Sequence, residues 1–309
     1  MKKSRYTFGP VPSRRLGRSL GIDLVPHKTC SYDCLYCQLG CTTHKTVERR
    51  EWVPMEDVVT EIKEKLGTRP DYITLSGSGE PTLYNRIAGL IDRIRGITDI
   101  PVAVLTNGSL LWRKDVREDI AGADVVIPSL DAGSAFMFSV VNRPHESIGF
   151  DQMLDGLIKF KQEYHGAYWL EILLLGGYTA LAAEVDRLAA CVGKIRPDKV
   201  QLNTVTRPPA EDYAASVSPQ RMHVLAKQFD PPAEVIADFR HEDSDAARCS
   251  APEDIMTLLR RRPCTAADVS AGLQIHMHEA VKILEQLAAQ KKTEPYRINN
   301  KTFFRTVHA

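Results

Sequence analysis

The feature that most constrains the fold is a repeated alternation of short apolar runs and longer amphipathic runs. The apolar runs each end in a polar or Gly-rich turn and occupy residues 19–26, 71–81, 101–108, 123–133, 168–177 and 198–209. Amphipathic runs separate them, at residues 55–66, 85–96, 113–122, 149–164 and 180–195. Such β–α repeats fold as a parallel sheet covered by helices. Because the chain offers six strands instead of eight, it predicts an α/β fold with a partial (β/α)6 TIM-like barrel.

The unusual short motifs of the chain all follow these predicted strands. A cysteine-rich stretch occupies residues 27–41, and GSGEP, TNGS, SLDAG and LNTVTRPP follow later strands. Ligands of barrels and open α/β sheets bind beyond the carboxyl ends of the parallel strands. The placement therefore predicts one shared ligand site.

The sequence changes character after about residue 245. Amphipathic runs at residues 251–262, 265–273 and 276–290 precede a stretch that reads as a hairpin turning at Asn299 and Asn300. Three helices and a two-stranded wing predict a small C-terminal winged helix-turn-helix domain at residues 246–309, after a barrel domain at residues 1–245. Residues 250–309 hold nine basic and six acidic residues, so this domain is only mildly basic.

Four of the seven cysteines are Cys30, Cys34, Cys37 and Cys41, with the spacing C-x3-C-x2-C-x3-C. No run approaches the ~18 apolar residues of a membrane span, and the N-terminus lacks the apolar stretch of a signal peptide. We therefore expect a cytoplasmic protein, with no membrane contact and with reduced cysteines. Three interpretations stay open: one zinc ion on all four thiolates, a redox pair in CLYC, or a [4Fe–4S] cluster on the first three with one iron left open.

The spacing C-x3-C-x2-C, with Tyr36 before Cys37 and a predicted strand before it, resembles the radical S-adenosylmethionine (SAM) superfamily. GSGEP resembles the Gly-Gly-Glu turn of that superfamily, and TNGS and SLDAG lie where its members bind the ribose and carboxylate of SAM. The resemblance implies two cofactors, SAM and a [4Fe–4S] cluster bound by Cys30, Cys34 and Cys37. It implies SAM contacts from Tyr36, Gly77, Ser78, Gly79, Glu80, Asn107, Ser109, Ser129 and Asp131.

The resemblance also implies roles. Glu80 would bind the ammonium of SAM, Tyr36 would face its adenine, and Asp131 would bind a ribose hydroxyl. An electron from flavodoxin or ferredoxin would cleave SAM to a 5′-deoxyadenosyl radical, which would take a hydrogen atom from the substrate. Because the barrel alone carries these steps, deleting residues 250–309 should leave SAM cleavage without substrate intact. The catalytic residues that meet the substrate are not predicted.

The stretches FGPVPSRRLGRSLGIDLVP and VQLNTVTRPPAE further resemble a prokaryotic group related to the wyosine-forming tRNA enzymes. Those enzymes carry additional N-terminal cysteines and residues 1–29 hold none, so wyosine formation itself is not expected. The substrate hypotheses are RNA, held by basic residues 12–21 and the hairpin, or a peptide or small metabolite. The alternative from another class is a zinc-binding winged-helix regulator without catalysis.

Other positions leave two interpretations open. Glu171 is a carboxylate in an apolar strand and needs a partner, either as a structural group or in the site. Asn203 and Arg207 follow the last strand and either face a ligand or do not. Residues 12–21 either steer an anion or close the barrel bottom. Cys249 and Cys264 do not predict a second cluster.

Overall fold

The structure is a computed structural model that describes residues 5–237, 252–273, 275–298 and 301–307. Its strands are β1 (Thr7–Ser13), β2 (Gly17–Ile22), β3 (Thr29–Cys30), β4 (His44–Lys45), β5 (Tyr72–Leu75), β6 (Val102–Thr106), β7 (Val125–Pro128), β8 (Ala167–Leu174), β9 (Lys199–Thr204), β10 (Glu234–Val235), β11 (Thr293–Ile298) and β12 (Lys301–Thr306). Its helices are α1 (Met55–Lys65), α2 (Ile87–Arg95), α3 (Lys114–Ile120), α4 (Ala135–Val141), α5 (Phe150–Glu163), α6 (Ala182–Ile195), α7 (Pro219–Ala226), α8 (Pro252–Leu259), α9 (Ala266–Leu273) and α10 (Met277–Ala289). In the described ranges, no helix combines the length and apolar character that crossing a bilayer requires.

The main sheet has the strand order β1-β2-β5-β6-β7-β8-β9-β10. Strands β2 and β5 to β9 pair in parallel, which confirms the predicted α/β fold with a mostly parallel sheet. Two strands of this sheet were not predicted: β1, antiparallel to β2, and the two-residue β10. Strand β1 contains Pro10 and Pro12, and prolines in a strand are tolerated at the edge of a sheet.

Strand β8 shows how the sheet orients the site. Its residues alternate between fully and partly buried along the strand, as the two-residue period of a strand requires. Leu170 and Ile172 pack into the core, whereas Glu171 and Leu173 line the barrel interior. The partner that Glu171 needs must therefore lie inside the barrel.

The turn between β1 and β2 closes one end of the barrel. Leu16 is buried and packs against Ala103, Val125 and Ile127, near the amino ends of β6 and β7. Residues 12–21 thus help to close the barrel bottom, and their role toward an anion stays a prediction.

The C-terminal segment, residues 252–307, packs against the barrel. Its three helices and antiparallel β11–β12 pair occur in the predicted order. Its apolar core includes Val11 of β1. Ion pairs join Arg261 to Asp23, after β2 (2.7 Å), and Arg207, after β9, to Asp268 (3.1 Å). Because β2 and β9 lie near the two edges of the sheet, this segment spans the open side of the partial barrel.

The winged-helix assignment and the boundary at residues 245 and 246 stay predictions. Residues 238–251, which include the boundary and Cys249, lie outside the described residues, as do Asn299 and Asn300 at the predicted turn.

Candidate functional site

A cavity of about 440 Å³ runs through the barrel interior to the carboxyl ends of the parallel strands. That volume lies in the ~300–1,000 Å³ range of small-molecule sites. The predicted cofactor residues that line it are Cys30, Cys34, Tyr36, Cys37, Gly77, Ser78, Gly79, Glu80, Asn107, Ser129 and Asp131. The strand-end motifs therefore do converge on one site. Ser109 is buried and does not line the cavity.

The three cysteine sulfurs each accept a hydrogen bond from a different side chain. Asn107 Nδ2 donates to Cys30 Sγ (3.6 Å), Asn142 Nδ2 to Cys34 Sγ (3.6 Å) and Lys28 Nζ to Cys37 Sγ (3.4 Å). Such donors stabilise negative charge on sulfur and help to set the potential of an iron–sulfur cluster.

Lys28 is the donor whose surroundings are most unusual. It is buried with a left-handed backbone (φ 62°), and its ammonium also donates to the carbonyl of Gly40. Within the described residues no carboxylate pairs with it. A buried cation needs a compensating charge, and Cys37, once it ligates a metal, is the group placed to provide it.

The protonation of the cysteines depends on their burial. Burial, helped by the Glu80 carboxylate, raises the pKa of the Cys30 thiol to about 12. Burial and then Cys30 raise the pKa of Cys34 well above its usual value. These thiols therefore stay protonated without a metal, and a metal must displace their protons when it binds.

The arrangement fits a [4Fe–4S] cluster better than a single zinc ion. Across the described residues, no three Cys, His, Asp or Glu side chains lie close enough to ligate one metal ion. A cluster binds each cysteine through a different iron, so its ligands stand further apart. Cys41 is exposed and does not line the cavity.

The GSGE turn approaches the backbone so closely that two glycines are required. Gly77 has φ 126°, and a side chain there would clash with Asp23; one on Gly79 would clash with the Thr29 carbonyl. The Ser78 N–H donates to Asp23 Oδ1 (2.6 Å), and the Lys28 N–H donates to the Ser78 carbonyl (2.7 Å). The Glu80 N–H also donates to the Thr29 carbonyl (3.1 Å), which fixes the turn to the cysteine loop, residues 29–41.

Glu80 is buried rather than solvated, and its carboxylate accepts four hydrogen bonds. Oε1 accepts from the Thr82 N–H (3.0 Å), the Thr82 hydroxyl and the Thr106 hydroxyl (both 2.6 Å). Oε2 accepts from the Asn107 N–H (2.7 Å). Burial raises the pKa of Glu80, and these donors offset part of the rise. Only Oε2 keeps a lone pair for another donor.

Asp131 joins three parts of the site. It accepts from the Tyr36 hydroxyl, from Asn142 Nδ2 (3.0 Å) and from the Leu173 N–H of β8 (2.9 Å). Burial raises its pKa to about 6, although these donors act in the opposite direction. Asp131 therefore fixes the orientation of the Tyr36 side chain of the cysteine loop.

Asn107 and Ser109 make contacts that differ from the predicted ones. Asn107 Nδ2 also donates to the Ser31 hydroxyl (2.9 Å), and Ser109 shares a 2.6 Å hydrogen bond with the same hydroxyl. Both residues thus hold the cysteine loop, and their assignment as SAM contacts stays a prediction. Within the described residues the Ser129 hydroxyl makes no side-chain hydrogen bond, and Ser129 lines the cavity.

The wall of the cavity formed by β8 and β9 carries charged residues whose roles the sequence analysis left open. Arg15 pairs with Glu171 at 2.5 Å, and Asn203 Nδ2 donates to the same carboxylate (2.9 Å). Burial alone would raise the pKa of Glu171, but Arg15 holds it below its ordinary value. Glu171, Asn203 and Arg207 all line the cavity, and a contact between any of them and a ligand stays a prediction.

Sequence reasoning missed Asp23, Lys28 and Asn142. Lys28 stands two residues before Cys30, which is the one local signal available. Asn142 follows α4, is 108 residues from Cys34 in sequence, and belongs to no motif. Only the folded chain brings it to the sulfur.

The family model described as "Radical SAM superfamily" matches residues 24–189. The chain belongs to the radical SAM superfamily. The match runs from the cysteine loop to α6 and includes all the predicted cofactor residues. The chain is therefore an enzyme of this superfamily, which uses a [4Fe–4S] cluster and SAM. The regulator hypothesis is set aside.

Curated relatives match a longer part of the chain than the family model does. It is 41% identical over 224 residues to the UPF0026 protein MJ1312 of Methanocaldococcus jannaschii, covering 71% of this chain and 68% of that protein. It is 31% identical over 303 residues to a UPF0026 protein of Helicobacter pylori, covering 96% of each. The chain thus also belongs with the UPF0026 proteins. It is 39% identical over 303 residues to GTPase Obg of Brachyspira hyodysenteriae but spans only 44% of that protein's length.

Solved structures share the fold at low identity. TYW1 with a lysine–pyruvate adduct bound has a TM-score of 0.53 at 18% identity and covers 70% of this chain and 74% of that one. SuiB of Streptococcus suis bound to SAM has a TM-score of 0.53 at 14% identity, covering 70% and 50%. At these identities the likeness concerns the fold of the radical SAM barrel.

Proposed function

We propose that this radical SAM enzyme binds a [4Fe–4S] cluster through Cys30, Cys34 and Cys37 and cleaves SAM reductively to abstract hydrogen from a substrate in the same cavity. One observation carries the proposal: the three sulfurs line one cavity with the GSGE turn, and each accepts a separate N–H donor. A small donor such as flavodoxin or ferredoxin would provide the electron.

When bound, the cluster and SAM supply a 5′-deoxyadenosyl radical, and the protein's own task is to position and shield the reactants. Lys28, Asn107 and Asn142 stabilise the thiolate charges through their hydrogen bonds to sulfur. The C-terminal segment and Leu16 close the side and the bottom of the cavity.

The SAM contacts are assigned from the free hydrogen-bonding capacity. Glu80 Oε2 would accept from the SAM ammonium, a bond to a charged group worth ~1.5–3 kcal/mol. Gly77 and Gly79 would provide backbone groups, because no side chain covers the turn at the glycines, and the Ser78 carbonyl keeps a second lone pair. Ser129 and Asp131 would face the ribose, and Tyr36 the adenine.

The decisive experiment is anaerobic. The protein is reconstituted with iron and sulfide and reduced, SAM is added, and 5′-deoxyadenosine is measured by chromatography. The wild type should form it, and Cys34→Ala should lose both the cluster absorbance and the product because only two cluster ligands remain.

Cys41→Ala is the matched control, since Cys41 is exposed and outside the cavity. It should keep both signals. Full turnover by Cys34→Ala would refute the ligand assignment, and loss of the cluster in Cys41→Ala would make Cys41 a ligand.

The substrate is proposed only by class: RNA, a peptide or a small metabolite. Exposed Lys291, Lys292, Lys301 and Arg305 around the β11–β12 hairpin are the groups that would contact RNA phosphates. RNA binding that weakens steeply with salt would support the first class.

A further inference from the structure

Three arginine side chains from distant parts of the chain line the cavity together. They are Arg14 in the β1–β2 turn, Arg207 after β9 and Arg262 after α8; we call them the arginine group. They therefore come from the turn that closes the barrel bottom, the segment that follows β9 and the C-terminal segment. The proposed SAM contacts come instead from the cysteine loop and the ends of β5, β6 and β7.

Hydrogen bonds fix where the arginine group lies. Arg207 donates to Asp268 (3.1 Å) and to Gln38 (3.4 Å), which directly follows Cys37. Arg14 donates to Asn203 (2.7 Å) and Thr206 (2.5 Å). The group therefore adjoins the cysteine loop, so a molecule held there would lie next to the reactive centre.

The charges of the group act on one another. Burial, then the Arg207 charge, lowers the pKa of Arg14 to about 10; burial, then the Arg262 charge, lowers that of Arg207. In the part of the chain that the structure describes, no carboxylate pairs with the Arg262 guanidinium. Cations that repel one another in a low-dielectric wall are stabilised by an anion placed between them.

Among the residues that the structure describes, the carboxylates near the arginine group already have other partners. Glu171 pairs with Arg15, and Asp23 pairs with Arg261. Glu80 and Asp131 accept from the donors described above. Asp268 lies near enough for its charge to act on Arg262, but its ion pair is with Arg207, so an external anion can serve as the paired counter-charge of Arg262.

We propose that the arginine group binds a phosphate group of the substrate. The inference rests on the proposed function, because it assumes that the substrate shares this cavity with SAM. Phosphate is favoured because the planar fork of arginine matches its oxygens and several arginines together suit a dianion.

The test measures binding of inorganic phosphate to the reconstituted full-length protein by calorimetry, at constant ionic strength, with and without SAM. We expect wild-type binding in both cases, at least tenfold weaker in Arg262→Ala and intermediate in Arg262→Lys, which keeps the charge but not the fork. Arg221→Ala, which removes an exposed arginine of α7, is the matched control and should bind like the wild type.

Several results would overturn the proposal: no phosphate binding, equal binding in Arg262→Ala and Arg221→Ala, binding of acetate in place of phosphate, or competition between phosphate and SAM. The last would assign the arginines to the SAM carboxylate. Formation of 5′-deoxyadenosine is measured separately. It shows whether SAM cleavage holds when phosphate binding fails, and whether phosphate binding holds when SAM cleavage fails.

A second arm separates two sources of the phosphate. Ribose 5-phosphate and a short single-stranded RNA are each added to the wild-type protein with inorganic phosphate bound, and the displacement of phosphate is measured. Displacement by only the sugar phosphate identifies a small metabolite, and displacement by the RNA identifies a nucleic acid. If neither displaces it, the site is closed to substrate phosphates and the proposal fails.

Discussion

Replacement of Glu80 separates its structural role from its proposed role toward SAM. In Glu80→Gln, the amide oxygen can keep the three donors of Oε1, but the NH2 group then faces the Asn107 N–H that Oε2 accepts. One buried donor loses its acceptor, which costs ~1–3 kcal/mol. Part of this loss is offset because burial of the carboxylate, which raises the pKa of Glu80, no longer opposes folding.

In Glu80→Ala, both the Thr82 and the Asn107 N–H lose their acceptor, so the expected loss of stability rises to ~2–6 kcal/mol. Both variants remove the negative charge that would bind the SAM ammonium. We therefore expect SAM affinity to fall by a similar factor in both, ~10- to 150-fold for a loss of ~1.5–3 kcal/mol.

Two assays distinguish these effects. Urea unfolding of the cofactor-free proteins gives the free energies of unfolding, and equilibrium dialysis of the reconstituted proteins gives the SAM affinities. Glu64→Gln, on the exposed face of α1, is the control and should change neither. If SAM affinity is unchanged in Glu80→Gln, the carboxylate does not bind the ammonium and the reasoning is wrong.

Three further predictions concern the surroundings of the cysteines and the C-terminal segment. Lys28→Met should lower the midpoint potential of the cluster, because a buried cation near sulfur favours the reduced state. The potential is measured by electron paramagnetic resonance titration, with Lys45→Met, at an exposed lysine, as the control. An unchanged potential in Lys28→Met would contradict this prediction. Asp131 has a folded pKa of about 6 against an unfolded value of 3.8, so the stability it contributes is full below about pH 4 and is lost as the pH rises through about 6. Asp131→Asn should remove this dependence, a difference on the order of 3 kcal/mol in urea unfolding between pH 4 and 7, whereas parallel pH curves would disprove it. Deletion of residues 250–309 should expose Val11 and break the Arg261–Asp23 pair, giving an aggregating protein with weak SAM cleavage; a monodisperse, fully active truncation would restore the sequence-based expectation.

The sequence predicted those features that depend on residues close together in the chain. Apolar runs with turn residues predicted the six parallel strands, and the cysteine spacing and GSGEP predicted which residues share a cavity. Strand β1 was missed because its prolines hide the strand pattern. Asn142 and Arg262 were missed because their importance comes from contacts across long sequence distances.

The expectation of an independent C-terminal domain also depended on local pattern. Its helices were visible in the sequence, but their apolar face packs partly on β1 instead of only on itself. The sequence pattern of residues 250–309 shows that these helices have an apolar face, but it does not show that β1 covers part of it.

The Arg261–Asp23 pair has a thermodynamic consequence. Asp23 accepts from Arg261 with one oxygen (2.7 Å to Nη2) and from the Ser78 N–H with the other (2.6 Å). A single carboxylate thus links the C-terminal segment to the turn proposed for SAM. Coupling between binding sites is reciprocal. A partner that pulls Arg261 away from Asp23 changes the affinity of the turn for SAM by some factor, and SAM changes the affinity for that partner by the same factor.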